Sequence, residues 1–233
     1  MNIFRIFLES SITAQIIMVI LVIFSIWSWA IFFKKLFEFA RFKGDSRRFL
    51  STYRLHKEIK ELDNLGYLLN NNPYGRILRN GLEEFKKLRL LNIHNQESGN
   101  TTKQEKSLAE LSDNIRLTME RTKITEVSEL EGSLPVLSTF VSVSPFLGLL
   151  GTVWGVMEAF FDIRARGSAH ITIVAPGISD ALITTVYGLM VAIPALIFYN
   201  IFRSRVNRYS GELDKFINEV FVRLRKALIT GQQ

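Results

Sequence analysis

The chain has 233 residues, of which 48% are hydrophobic, and this composition fits either a mid-sized soluble domain or a small helical membrane protein. The absence of Cys excludes structural disulfides, thiolate nucleophiles and metal sites that need a thiolate. The formal charge of +7 would suit a nucleic-acid-binding domain, but the basic residues flank long apolar blocks instead of forming one patch, so we expect no nucleic-acid partner.

The first apolar block covers residues 12–33 and follows a short N-terminal stretch, residues 1–11. It contains no charged residue, and Gln15 is its only polar member apart from a few hydroxyl residues. About 20 apolar residues span a bilayer as a helix, whereas a cleavable signal peptide has a shorter apolar region that ends in small residues. This block ends instead in Trp and Phe residues followed by Lys34 and Lys35, which is typical of a membrane interface. The pattern predicts an uncleaved transmembrane helix.

Residues 34–133 form a polar region that we predict to be helical, with a loop over the polar stretch 92–104. After that stretch, apolar residues recur at helical spacing and the pattern continues into the next apolar block without Pro or Gly until Gly132. It therefore predicts one long helix that extends the second span into the cytoplasm. Residues 203–233 also carry an amphipathic helical pattern, which favours packing against a partner helix.

Two further apolar blocks, residues 134–161 and 171–202, are joined by the short connection 162–170. We expect them to form an antiparallel transmembrane hairpin. Pro176 and Pro194 lie in the last block, where neighbouring helices can satisfy the carbonyls that a proline leaves free.

The distribution of basic residues predicts the orientation. Of the 29 Lys and Arg residues, 19 lie in residues 34–133 and seven follow residue 202, whereas one precedes the first span and two lie in the 162–170 connection. By the positive-inside rule, the basic regions are cytoplasmic. The sequence therefore predicts an all-α membrane protein with three transmembrane helices, its N-terminus outside, and long cytoplasmic helical extensions.

Small residues form a stripe along each of the last two spans, at steps of three and four. On the second span and then the third, the stripes contain Ser144, Gly148, Gly151, Gly155, Gly177, Ala181, Gly188 and Ala192. Such stripes let two helix backbones approach closely, and they can also line a pore. Thr152 and Thr185 lie about half way along the stripes, and a hydroxyl that both donates and accepts can hold water or pass a proton. Pore lining and helix packing both stay open.

Asp180 is an acid within the third span. Placing a charge at the centre of a membrane helix costs about 2.5 kcal/mol or more, so acids there usually face a bundle interior or an aqueous path and mark ion or proton routes. The alternative is that Asp180 lies shallow and solvated, or caps a helix that restarts after Pro176.

Two motifs carry a family resemblance. The sequences SPFLGLLGTVWGVM at residues 144–157 and APGISDALITT at residues 175–185 resemble the signatures of the TolQ/ExbB/MotA proton-channel family. The motifs occur in the expected order with the hairpin between them, and the first 30 residues resemble the TolQ branch more than the ExbB branch. Residues 50–105 resemble the family only loosely.

The resemblance implies an inner-membrane, homo-oligomeric ring in the lipid bilayer that encloses TolR-like single-span helices. Proton flow through such an assembly would energise a TolA-like protein for outer-membrane constriction at cell division. Thr152 and Thr185 would match the family's polar positions, and Asp180 would replace its membrane glutamate with a side chain one methylene shorter. Neither a cofactor nor a metal is implied.

Two alternatives are left open. The same motifs would serve an ExbB-like subunit that energises TonB-dependent uptake. The small-residue stripes would also serve a membrane scaffold without proton conduction. An enzyme is not expected, because no nucleophile and base are placed together and no phosphate-binding glycine loop is present.

Overall fold

A computed structural model describes residues 7, 8, 10–55, 72–96 and 101–230. For residues 91–96, 101–111 and 228–230 it describes the backbone alone. The described residues are almost all helical, and none of them forms a strand. The helices are α1 (Ile12–Leu55), α2 (Pro73–Gln96), α3 (Thr101–Glu131), α4 (Leu134–Arg166) and α5 (Ile171–Thr230).

Three of these helices, α1, α4 and α5, are long and apolar enough to cross a membrane. The predictions of an all-α fold and of three membrane-spanning helices are therefore confirmed. The predicted spans 12–33, 134–161 and 171–202 lie within α1, α4 and α5 respectively. The orientation, with the N-terminus outside, stays a prediction.

The chain divides into two compact units. The first, here called the membrane unit, comprises Met1–Leu36 and Ser133–Arg203. The second, here called the polar unit, comprises Phe37–Gly132 and Ser204–Gln233, so α1 and α5 each contribute residues to both.

In the membrane unit, α1 packs against α4 and α5 through large side chains. The Phe24 ring stacks on Phe140 of α4 with centroids 4.5 Å apart, and the Phe32 ring stacks on Phe198 of α5 at 4.2 Å. Such aromatic pairs add about 0.5–1.5 kcal/mol each beyond the area they bury. Many other large apolar residues of α4 and α5, such as Val153, stay exposed, as expected for helices that face lipid or other chains.

In the polar unit, a hydrophobic core joins α2 and α3 to the C-terminal parts of α1 and α5. Its largest buried side chains include Phe49, Tyr53, Tyr74 and Met119, and the last part of α5 adds Phe216 among others. Burial raises the pKa of Tyr53 to about 12, so this phenol stays neutral in the core. The amphipathic pattern after residue 203 thus finds its packing partners within the chain.

Two predictions about the polar region are wrong. The second span does not continue as one long helix, because α3 ends at Glu131 and α4 begins at Leu134. Pro135 is the second residue of α4, and a proline has no N–H to donate and its ring clashes with the carbonyl four residues earlier, which is that of Glu131. Gly132 and Ser133 therefore form a turn between the helices.

The predicted loop over 92–104 is also too long. Helix α2 continues through Gln96 and α3 begins at Thr101, so residues 92–96 and 101–104 are helical; residues 97–100 lie outside the described ones. The stretch is polar, but its Gln, Glu and Lys residues are good helix formers, and polarity alone does not end a helix.

Candidate functional site

The two small-residue stripes face each other across the α4–α5 interface. A Cβ added to Gly155 would lie 2.6 Å from the carbonyl oxygen of Gly177, and one added to Gly188 would lie 2.7 Å from that of Ser144. These distances leave no room for a side chain, so the helix backbones are in direct contact. Small residues are what permits such an approach.

The predicted stripe residues are placed as follows. On α4, Ser144, Gly148, Gly151 and Gly155 are all buried. On α5, Ala181, Gly188 and Ala192 are buried and Gly177 is half-buried. Within this chain they therefore make helix-packing contacts, and nothing in that arrangement requires a pore between α4 and α5.

Thr184 belongs to this interface and was missed from the sequence. It is fully buried, and a Cβ added to Gly151 would lie only 2.2 Å from its Oγ1. Its hydroxyl donates to the carbonyl oxygen of Ala181 at 2.9 Å. The spacing could have indicated Thr184. Ala181, Thr184 and Gly188 are separated by steps of three and four, and so are Ala181, Thr185 and Gly188, so either threonine fits the stripe.

Thr185 links the two helices by a hydrogen bond. Its Oγ1 lies 3.2 Å from the carbonyl oxygen of Gly148 on α4 and 3.5 Å from that of Ala181 on its own helix. Thr152 behaves differently, since its hydroxyl donates to the Leu149 carbonyl in the same helix at 2.6 Å. The structure therefore brings Thr185, but not the Thr152 hydroxyl, into a contact between α4 and α5.

Ser144 adds a third hydroxyl to the interface. It is fully buried, and its Oγ has no hydrogen-bond partner within the described part of the chain. A buried polar group without a partner is costly, and such groups commonly bind an internal water. Ser144, Thr184 and Thr185 are called the interface hydroxyls below.

Asp180 contacts a third helix. Its half-buried carboxylate accepts a hydrogen bond from the backbone N–H of Ser11 at 2.7 Å, immediately before α1 begins. Helix α5 runs unbroken through Pro176, so Asp180 does not cap a helix that restarts there. Instead it satisfies a free N–H at the N-terminus of α1, where a negative charge is also favoured by the helix dipole.

The α4–α5 pair of the membrane unit therefore carries the Asp180 carboxylate and the interface hydroxyls. Thr184 and Thr185 follow Asp180 by about one turn, which is a rise of roughly 6 Å along the helix. A carboxylate can take up and release a proton, and hydroxyls can relay one with the help of water because they both donate and accept. This set of groups is suited to proton movement within a membrane, where acids usually mark such routes.

The sequence matches the MotA/TolQ/ExbB proton channel family over residues 69–215. It is 35% identical to the Tol-Pal system protein TolQ of Haemophilus influenzae, over 94% of this chain and 92% of the relative. TolQ of Pseudomonas aeruginosa is 33% identical over 96% of this chain and 92% of its own length. The biopolymer transport protein ExbB of Pseudomonas putida is 30% identical over 94% of this chain but only 62% of its own length.

The match covers both motifs of α4 and α5 and more than half of the chain, and the TolQ relatives are similar over nearly their whole length. Together with three helices able to cross a membrane, this confirms the resemblance seen in the sequence. The chain belongs to the MotA/TolQ/ExbB proton channel family.

Proposed function

We propose that this chain is a TolQ-like subunit of a Tol-Pal complex in the bacterial inner membrane. With a TolR-like single-span partner it would form a proton-driven motor that energises a TolA-like protein for outer-membrane constriction at cell division. The observation that carries the proposal is the placement of Asp180 and the interface hydroxyls in the membrane unit of a proton-channel family member.

Sequence identity favours the TolQ-like assignment over the ExbB-like one. The two TolQ relatives are 35% and 33% identical over 94% and 96% of this chain, whereas the ExbB of Pseudomonas putida is 30% identical over 94% of it. An ExbB-like role in TonB-dependent uptake is the second candidate, since that relative still matches 94% of this chain. Mass spectrometry of proteins that co-purify in mild detergent separates the two. TolR-like and TolA-like partners support the first, and ExbD-like and TonB-like partners the second.

In this proposal Asp180, Thr185 and Thr152 lie along the proton path. The exposed apolar faces of α4 and α5, which include Leu149, Leu182 and Ile193, would contact lipid, the partner helix and other copies in a homo-oligomeric ring. No cofactor is needed for this activity.

Thr185→Val is expected to abolish proton conduction while the protein still inserts and assembles, because Val matches the shape of Thr but has no hydroxyl. We expect proton flux to fall at least about 100-fold, the lower end of what a positioned proton-transfer group contributes. Flux is measured with a pH-sensitive dye in proteoliposomes that contain the chain and its partner. Outer-membrane leakage in cells is the second readout.

Thr139→Val is the matched control. The exposed Thr139 hydroxyl donates to the carbonyl oxygen of Pro135 on the same helix at 3.0 Å, and it is not one of the interface hydroxyls. It should conduct like the wild type. Full conduction by Thr185→Val would refute the role of this hydroxyl. A scaffold without proton conduction would tolerate Asp180→Asn, whereas a proton path through Asp180 would not.

A further inference from the structure

Gln15 is a polar residue in the apolar part of α1 that the proposed function leaves without a role. Its side-chain Nε2 donates two hydrogen bonds, one to the carbonyl oxygen of Phe7 and one to that of Ser10, both at 3.0 Å. An amide buried in an apolar environment is costly unless it is hydrogen-bonded, and here both N–H groups are used. Gln15 therefore ties the residues before α1 to the first turns of that helix.

The residues that Gln15 ties down lead directly to Asp180. We call Phe7, Leu8, Ser10 and Ser11 the N-terminal turn. Ser10 is buried, with 8% of its surface exposed. Ser11 accepts a hydrogen bond at its Oγ from the N–H of Ala14 at 3.4 Å, and its own N–H donates to Asp180 at 2.7 Å. Ser11, whose N–H donates to Asp180, is thus hydrogen-bonded to the first turn of α1 through Ala14, and the preceding residue Ser10 is bonded to it through Gln15.

A hydrogen bond of this kind orients the carboxylate. An N–H that donates to an ionised oxygen is among the stronger protein hydrogen bonds, and it fixes the direction in which the acid points.

We propose that Gln15 is a positioning residue for the proton path, which holds the N-terminal turn so that the Ser11 N–H orients the Asp180 carboxylate. When Gln15 is replaced, the carbonyls of Phe7 and Ser10 lose the hydrogen bonds that its amide donates. We then expect the N-terminal turn to detach from α1, so that the Ser11 N–H no longer holds the Asp180 carboxylate in one orientation. The effect on conduction rests on the proposed function, but the effect on the turn does not.

Detachment of the N-terminal turn is measured by the rate of thiol labelling. Because the chain has no Cys, an introduced cysteine is the only thiol of this chain that can react. With a single Ser10→Cys reporter in membranes that hold the whole complex, a water-soluble maleimide should react slowly with the wild-type background. Gln15→Leu should raise the labelling rate at least about ten-fold, which is the rate ratio for a roughly 1.4 kcal/mol easier opening. A Leu8→Cys reporter is the matched control, since Leu8 is 65% exposed and should react fast in both backgrounds.

A second pair of variants tests the contact without changing Gln15 or Asp180. Ser11→Pro removes the N–H that donates to Asp180, and Ser11→Ala keeps it, so only the proline variant should speed the labelling of Ser10→Cys.

A variant of the acceptor gives a further check. Asp180→Asn keeps an acceptor oxygen without the charge and should leave labelling slow. Equal labelling in the wild type and Gln15→Leu would overturn the proposal.

Proton flux then distinguishes positioning from a merely structural contact. Gln15→Leu and Ser11→Pro should lower flux several-fold with normal assembly, while the control Thr139→Val should not. Faster labelling with unchanged flux would overturn the positioning role. A wild-type chain that carries no protons with its partner would overturn the proposed function instead, and the labelling rates would still decide whether Gln15 holds the turn.

Discussion

Gly151→Val is expected to weaken the packing of α4 on α5 and so to lower the thermal stability of the protein strongly. A Cβ at this position would lie 2.2 Å from Thr184 Oγ1 and 2.5 Å from Thr184 Cβ. Because the Thr184 Cβ is fixed to the α5 backbone, a side-chain rotation does not remove the clash. Overpacking a tight interface typically costs about 1–3 kcal/mol, and we expect the upper end here. The measurement is the apparent Tm in detergent, read from the monodisperse fraction after heating.

Two controls make this result specific. Gly211→Ala changes a glycine of α5 whose added Cβ would meet nothing within 4 Å, and it should stabilise α5 by about 0.5–1 kcal/mol. Gly151→Ala should be unstable alone and recover with Thr184→Gly, which moves the side chain to the other side of the contact. A Gly151→Val protein as stable as the wild type would show that the two stripes do not pack as described.

Arg76→Met should destabilise the polar unit by about 3 kcal/mol, the usual cost of leaving one partner of a buried ion pair alone. Arg76 of α2 donates through Nε and Nη2 to both carboxylate oxygens of Glu126 on α3. Glu126 has only 5% of its surface exposed, so its charge would be left without a partner. The hydrogen bonds to Glu126 also raise the pKa of Arg76, so the guanidinium stays protonated. The readout is the Tm of the purified chain.

Arg116→Met provides the comparison, because Arg116 pairs with Glu120 on the same helix at 2.8 Å and both side chains are largely exposed. Such a pair contributes well under about 1 kcal/mol. In addition, the double variant Arg76→Met with Glu126→Leu should recover much of the lost stability, since it removes both charges together. If the single and the double variant melt at the same temperature, the pair does not act as a unit.

The sequence predicted the helical features that repeat locally. Apolar blocks of about 20 residues are readable one by one, and the glycines of α4 and α5 recur at regular steps. The turn at Gly132 and Ser133 was missed because the apolar pattern continues across it, although the effect of Pro135 on the carbonyl of Glu131 is a local signal. Family motifs identified the chain because they lie within these regular segments.

The details of the site depended on information that spacing does not contain. Thr184 and Thr185 are adjacent, and a rotation of about 100° along the helix decides which of them faces α4. The contact between Ser11 and Asp180 joins residues 169 positions apart, and no local pattern connects them. The role of Gln15 was hidden for the same reason, since its partners are backbone carbonyls that every sequence provides.

The backbone contacts between α4 and α5 have a mechanical consequence. Side chains that interdigitate can change rotamer and let two helices slide or tilt, but glycine carbonyls at Gly155 and Gly177 that press against the facing backbone offer no such freedom. We therefore expect the hairpin of α4 and α5 to be stiff and to move as one rigid body. Any large displacement during a working cycle must be absorbed at the borders of the hairpin, where it meets lipid, α1 or another subunit.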